Sequence, residues 1–144
     1  MSYPISLSKK KENSKYQIPV PRPPLYECHP LFTFKHFDYR NTKFRLPTIN
    51  ESDINVFFEQ LSKLSSTKWK TILNEQSGQW HAHVIAWHKT DHKKGFSHLR
   101  PELQSHLAYQ FKTFKKCRVV GFIDDNNIFN VVWIDHDHQI YLRK

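Results

Sequence analysis

The stretch from Cys117 to Lys144 reads CRVVGFIDDNNIFNVVWIDHDHQIYLRK, and it leaves the chain few choices. Two runs rich in β-branched and aromatic residues, 117–123 and 128–135, flank the tetrapeptide Asp124-Asp125-Asn126-Asn127. Asp and Asn accept turn backbone and bond their own neighbours, so the pattern predicts a β-hairpin. The second strand runs directly into Asp135-His136-Asp137-His138 and then Tyr141. The hairpin therefore carries proton-handling side chains to its end. Alternation along a regular strand would put Phe129, Val131, Trp133 and Asp135 on one face. Asn130, Val132, Ile134 and His136 would fall on the other.

Earlier segments supply the rest of a small domain. Residues 30–37 alternate Phe32 and Phe34 against Thr33 and Lys35, which predicts a strand. Ile54, Phe57, Phe58, Leu61 and Leu64 recur at helical spacing after a stretch rich in capping residues. Asn50 or Ser52 is the expected cap. Ser65-Ser66-Thr67 should end this helix and cap a shorter one carrying Trp69, Ile72 and Leu73. Residues 79–87, QWHAHVIAW, read as a strand. Pro101 predicts a helix start at Arg100. Residues 108–114 fit either a continuation of that helix or an extended segment, so 88–116 reads as an insertion. Strand, two helices and clustered late strands define an α+β domain over 29–144: a small antiparallel sheet with two helices on one face.

Composition fits one domain with a tail. At 144 residues, with eleven Phe and four Trp, there is enough apolar material for a core. Residues 1–28 differ, being Lys-rich and then proline-rich through Ile18-Pro-Val-Pro-Arg-Pro-Pro24, which predicts an extended basic arm. The net charge of +9 is uneven. Residues 1–45 hold nine Lys/Arg against three Asp/Glu, and residues 46–144 hold thirteen against ten. A polyanion is the partner such a surface attracts. Three glycines exclude a Gly-rich phosphate loop. With no apolar leader and no run of membrane-spanning length, the expectation is a cytoplasmic protein without a membrane partner, holding Cys28 and Cys117 as free thiols. Cys117 opens an apolar strand and is expected to be inert core.

Three constellations carry candidate chemistry. His136, His138 and Tyr141 near Arg118 offer acid, base and cation, which is what metal-free RNA cleavage requires, with no cofactor. The bland alternative is a solvated turn after a buried strand. His81-Ala82-His83 could supply half a metal site, completed by His136 and His138. With Tyr109 and Lys112 it is also loosely similar to the His-hydrophobic-His and tyrosine-x-x-lysine motifs of single-strand endonucleases. Lys112, Lys115 and Lys116 form one basic cluster, and Lys93, Lys94 and Arg100 belong to a second with His88, His92 and His98. Trp87 and Phe96 lie within the second stretch, as base-stacking platforms or as core.

The element order and the hairpin resemble the RelE/ParE-like toxin superfamily. The resemblance is carried by Arg118-Val-Val-Gly-Phe-Ile-Asp-Asp, Ile-Phe-Asn-Val-Val-Trp133 and His138-Gln-Ile-Tyr141. It implies a basic α+β toxin whose Arg118 binds phosphate and whose His138 and Tyr141 occupy the acid/base position. It also implies ribosome-bound mRNA as substrate and an acidic antitoxin as partner. The superfamily includes gyrase poisons, so a non-enzymatic nucleic-acid- or protein-binding module stays open.

Overall fold

The computed structural model describes residues 24–74 and 78–141. Most of the expected arm, residues 1–23, lies outside them. Its last residues do not extend away from the domain. Leu25–Glu27 form a 3-10 turn, and Cys28 accepts the Trp69 N–H at 2.8 Å.

The chain is α+β. Strand β1 (Phe32–Thr33) precedes helices α1 (Glu51–Ser65) and α2 (Trp69–Asn74). Then follow β2 (His83–Val84), the short helix α3 (Pro101–Gln104), β3 (Ala108–Lys112), β4 (Arg118–Ile123) and β5 (Phe129–Asp135). The sheet order is β1-β5-β4-β3-β2. Strands β2 to β5 form an antiparallel meander, but β1 joins β5 in parallel, with Phe32 opposite Phe129. The sheet is therefore mixed and not wholly antiparallel. The paired rings explain the placement: Phe32 lies 5.9 Å from Phe129 and 6.1 Å from Phe111, so β1 must lie beside β5 to bury them.

Several sequence expectations shorten in the fold. Of 30–37 only Phe32–Thr33 is strand, yet the following loop still covers the edge of β5: Asp38 N–H reaches Val132 O, and Ile134 N–H reaches Phe44 O. Such covering blunts an exposed edge. Of 79–87 only His83–Val84 is strand, because residues 79–80 turn and His81 is left-handed at φ 44°. Asn50 caps α1, its side chain accepting Asp53 N–H at 2.8 Å. Ser66 and Thr67 do not cap α2. Their hydroxyls donate back to Ser62 and Lys63 carbonyls at the end of α1. Arg100 stands at the N-cap of α3, with Pro101 first in the helix.

Both sheet faces are covered. On the first, Phe57 and Leu64 of α1 and Trp69 and Ile72 of α2 pack against Phe111, Val119, Phe129, Val131 and Ile134. On the second, Phe44, Ile85 and Phe96 pack against Val120, Phe122, Val132 and Trp133. Residues 88–107 are thus the second layer of the domain, and 108–112 is a central strand, so 88–116 is not an insertion set apart from the core. With layers on both sides, all seven residues of β5 are buried.

One residue resets the hairpin's pattern. Val120 pairs with Trp133 and Gly121 with Val131, which leaves Val132 as an extra residue in β5. The bulge puts Val132 and Trp133 on the second face, while Val131 and Ile134 share the first. The regular alternation expected for β5 therefore fails after Val131. Gly121 sits at this point, where an added Cβ would strike the carbonyl of Asn130.

Candidate functional site

The second face carries a polar group among its apolar residues. His83 stands opposite Gln110 across β2 and β3, and Lys112 stands opposite Arg118 across β3 and β4. Arg118 in turn stands opposite Asp135 across β4 and β5. Tyr141 joins them from the C-terminal turn. Its hydroxyl accepts Ala86 N–H at 2.8 Å, and its ring lies 5.7 Å from that of His83.

Hydrogen bonds fix most of these groups. His83 Nδ1 lies 2.9 Å from Val84 O and Nε2 lies 3.1 Å from Gln110 Nε2. A carbonyl can only accept, so Nδ1 carries the proton and Nε2 accepts from the amide. Gln110 is 1% exposed, and its Oε1 is buried without a partner. Arg118 is half-buried; Nη1 donates to Cys117 O at 3.4 Å, and Nε is buried without a partner. Burial lowers its pKa, which the Asp135 carboxylate partly counters. A donor and an acceptor on adjacent strands of one face are therefore both in deficit.

The aspartates of the Asp-His-Asp-His run have separate roles. Asp135 is buried and accepts Gln139 N–H at 2.8 Å and Ile140 N–H at 2.9 Å, which ties the turn together. Asp137 is exposed and holds His136 Nδ1 at 3.1 Å. His136 packs 6.0 Å from Phe114, on the first face, whereas Tyr141 packs on the second. His138 is half-buried and left-handed at φ 55°, its N–H donating to Asp135 O at 3.3 Å. Of the four residues expected to catalyse, Arg118 and Tyr141 thus share a face. His138 lies in the same turn as Tyr141, and His136 faces elsewhere.

The two His-x-His pairs do not meet. Among the described residues no group of three or more His, Cys, Asp and Glu could hold a metal ion, so His81, His83, His136 and His138 form no shared centre. The single-strand endonuclease arrangement fails too. Tyr109 packs on the first face, while His83 bonds Gln110 on the second.

The expected basic residues fall in three places. Lys115 and Lys116 occupy the exposed turn before β4, where Lys115 pairs with Asp53 of α1 at 3.2 Å, and Lys112 is half-buried. Lys93 and Lys94 line a cleft beside Trp133. Arg100 is exposed and helps lower the pKa of His36, after burial and Lys35. Phe96 is buried 5.1 Å from Trp133 and is core, not a stacking platform. Trp87 is half-buried against it at 5.1 Å.

Sequence reading missed Gln110, although a glutamine inside Ala-Tyr-Gln-Phe is a polar residue in an apolar strand and was a signal. It also missed Asp38, whose Oδ2 accepts the Trp133 indole N–H at 2.9 Å and lies 3.5 Å from His98 Nε2. Nothing local links those three positions. No protein-family model, curated protein or solved structure matches the chain. Among the described residues, no helix is long and apolar enough to cross a membrane.

Proposed function

We propose that the protein is a toxin-like endoribonuclease that cleaves RNA by metal-independent acid/base chemistry at the end of the β4–β5 hairpin. The observation that supports this reading is the half-buried guanidinium of Arg118, whose Nη1 reaches only Cys117 O at 3.4 Å and with which no carboxylate pairs among the described residues. A cation held in deficit is suited to an anion that arrives with the substrate. Lys112 stands on the neighbouring strand and adds charge. In this reading His138 takes the proton of a ribose 2′-hydroxyl, and the oxygen attacks phosphorus. Arg118 and Lys112 offset the charge of the phosphorane. Tyr141 gives a proton to the departing 5′-oxygen; its own oxygen is positioned by Ala86 N–H. Ribosome-bound mRNA as substrate, an acidic antitoxin as partner and a cytoplasmic setting belong to the same reading and suit the net charge of +9.

The test is inducible expression in bacteria, with growth and total RNA followed for wild type, His138→Asn and Arg118→Met. Asparagine is chosen because it tolerates the left-handed backbone at 138. Arrest with RNA cleavage that survives EDTA in lysate, lost in both folded variants, supports the reading. Cleavage retained in both overturns the site.

A second reading is a binding module without chemistry. It is favoured by the structural use of the Tyr141 hydroxyl and both Asp135 oxygens. It predicts salt-steep RNA binding with intact product.

A further inference from the structure

The cleft beside Trp133 is formed by a loop that the hairpin site does not use. Residues 91–95, Asp-His-Lys-Lys-Gly, and Trp133 line an opening of about 410 Å³. The loop is tightly tied. The Thr90 hydroxyl donates to Trp87 O at 2.8 Å and accepts His92 N–H at 2.9 Å. Gly95 N–H donates to His92 O at 2.8 Å, and Asp91 N–H reaches Ile140 O at 3.4 Å. Gly95 is left-handed at φ 56°, and an added Cβ would meet the Trp87 indole at 2.9 Å. Glycine alone lets the loop close on that ring.

A third lysine arrives from another segment. Lys43 Nζ lies 3.3 Å from His92 Nε2. An ammonium has no lone pair, so the imidazole nitrogen must accept and the ring is neutral. Burial and Lys43 both lower the pKa of His92, while Asp135 and Asp91 pull it upward. The ring stands edge-on to Phe44 at 4.9 Å, and Phe44 lies 4.7 Å from Trp133. The result is a cleft with an aromatic floor, three lysines about it, and Asp91 as the carboxylate in its lining. The ammonium groups repel one another, and Lys43 opposes protonation of His92. A bound oxyanion attracts each ammonium, offsets their mutual repulsion and favours a protonated His92 that donates as well.

We propose that this cleft is a phosphate-binding subsite, in which Lys43, His92, Lys93 and Lys94 take the phosphate oxygens and the rest of the ligand lies toward Trp133. The subsite stands on its own residues and holds whether or not RNA is cleaved at the hairpin. The ligand is either free phosphate or the phosphate of a nucleotide.

The test follows the His92 ring by NMR in the full chain, titrated separately with inorganic phosphate and uridine monophosphate. Both are expected to move the His92 signals saturably, with affinity rising as pH falls below neutrality. Lys43→Met and Lys94→Ala are each expected to weaken binding about tenfold, and Lys63→Ala, in a surface pair with Glu59, is expected to leave it unchanged. All three lysines are exposed, so the fold should survive substitution. Equal affinity for the two probes assigns the subsite to phosphate itself, and tighter binding of the nucleotide assigns it to a nucleotide chain. Absence of a saturable shift in wild type, or equal weakening by Lys63→Ala, overturns the proposal.

Discussion

Asp135 stands opposite Arg118 across β4 and β5, yet both of its carboxylate oxygens are taken by the amides of Gln139 and Ile140. The carboxylate fastens the turn that carries His138 and Tyr141, more than it neutralises the arginine. Asp135→Ala would leave one buried and one half-buried N–H group without partners, at a cost of about 2–4 kcal/mol. Chemical denaturation measures it. A loss below about 0.5 kcal/mol would mean that the turn does not depend on this residue.

Gly121 has no room for a methyl group, because a Cβ there would meet the Asn130 carbonyl at the bulge. Gly121→Ala is expected to destabilise by about 3 kcal/mol or more, since a backbone atom must move. Thermal unfolding of the variant decides this; an unchanged midpoint would mean that the bulge relaxes freely.

Cys117 is fully buried, and burial pushes its thiol up to about 11. The folded protein keeps the thiol protonated where the unfolded chain ionises near 9.0. Its contribution to stability is therefore present below about 9 and lost as pH rises toward about 11. In native protein a thiol reagent should modify half-buried Cys28 first, with Cys117 reacting on unfolding. Prompt modification of both under native conditions would contradict this.

His36 and His92 both have lowered pKa values, with burial the leading cause in each. The unfolded chain binds protons at these sites more readily than the fold. Stability should therefore fall as pH drops from neutral through about 6.5, the ordinary histidine value. His36→Gln/His92→Gln should flatten the dependence of the melting temperature over that range. A slope unchanged in the double variant would place the effect elsewhere.

Local chemistry was legible where it decides local structure. The hairpin, the Asn50 cap and the break at Ser65 follow from residues that satisfy their own neighbours' amides. What sequence could not show is long-range. The bulge at Val132 has no composition signal, so the facing of Trp133 and Asp135 relative to Phe129 was read from a periodicity that one extra residue breaks. The strand expected over 79–87 shrank to two residues because a left-handed His81 precedes it. At the candidate site, Tyr141 and Arg118 were legible as types, but His83 and Gln110 reach them through pairing across β2 and β3. The contact between Lys43 and His92 depends on a loop folding over the second sheet face.

The parallel pairing of Phe32 with Phe129 has a consequence for synthesis on the ribosome. An N-terminal strand that pairs with β5 must wait, unpartnered, while the helices and the rest of the meander emerge. Until β5 leaves the exit tunnel, the rings of Phe32 and Phe111 lack the Phe129 surface between which they settle. A nascent chain arrested before residue 129 would therefore present those phenylalanines to holding chaperones, and release of the final strand is the step that withdraws them.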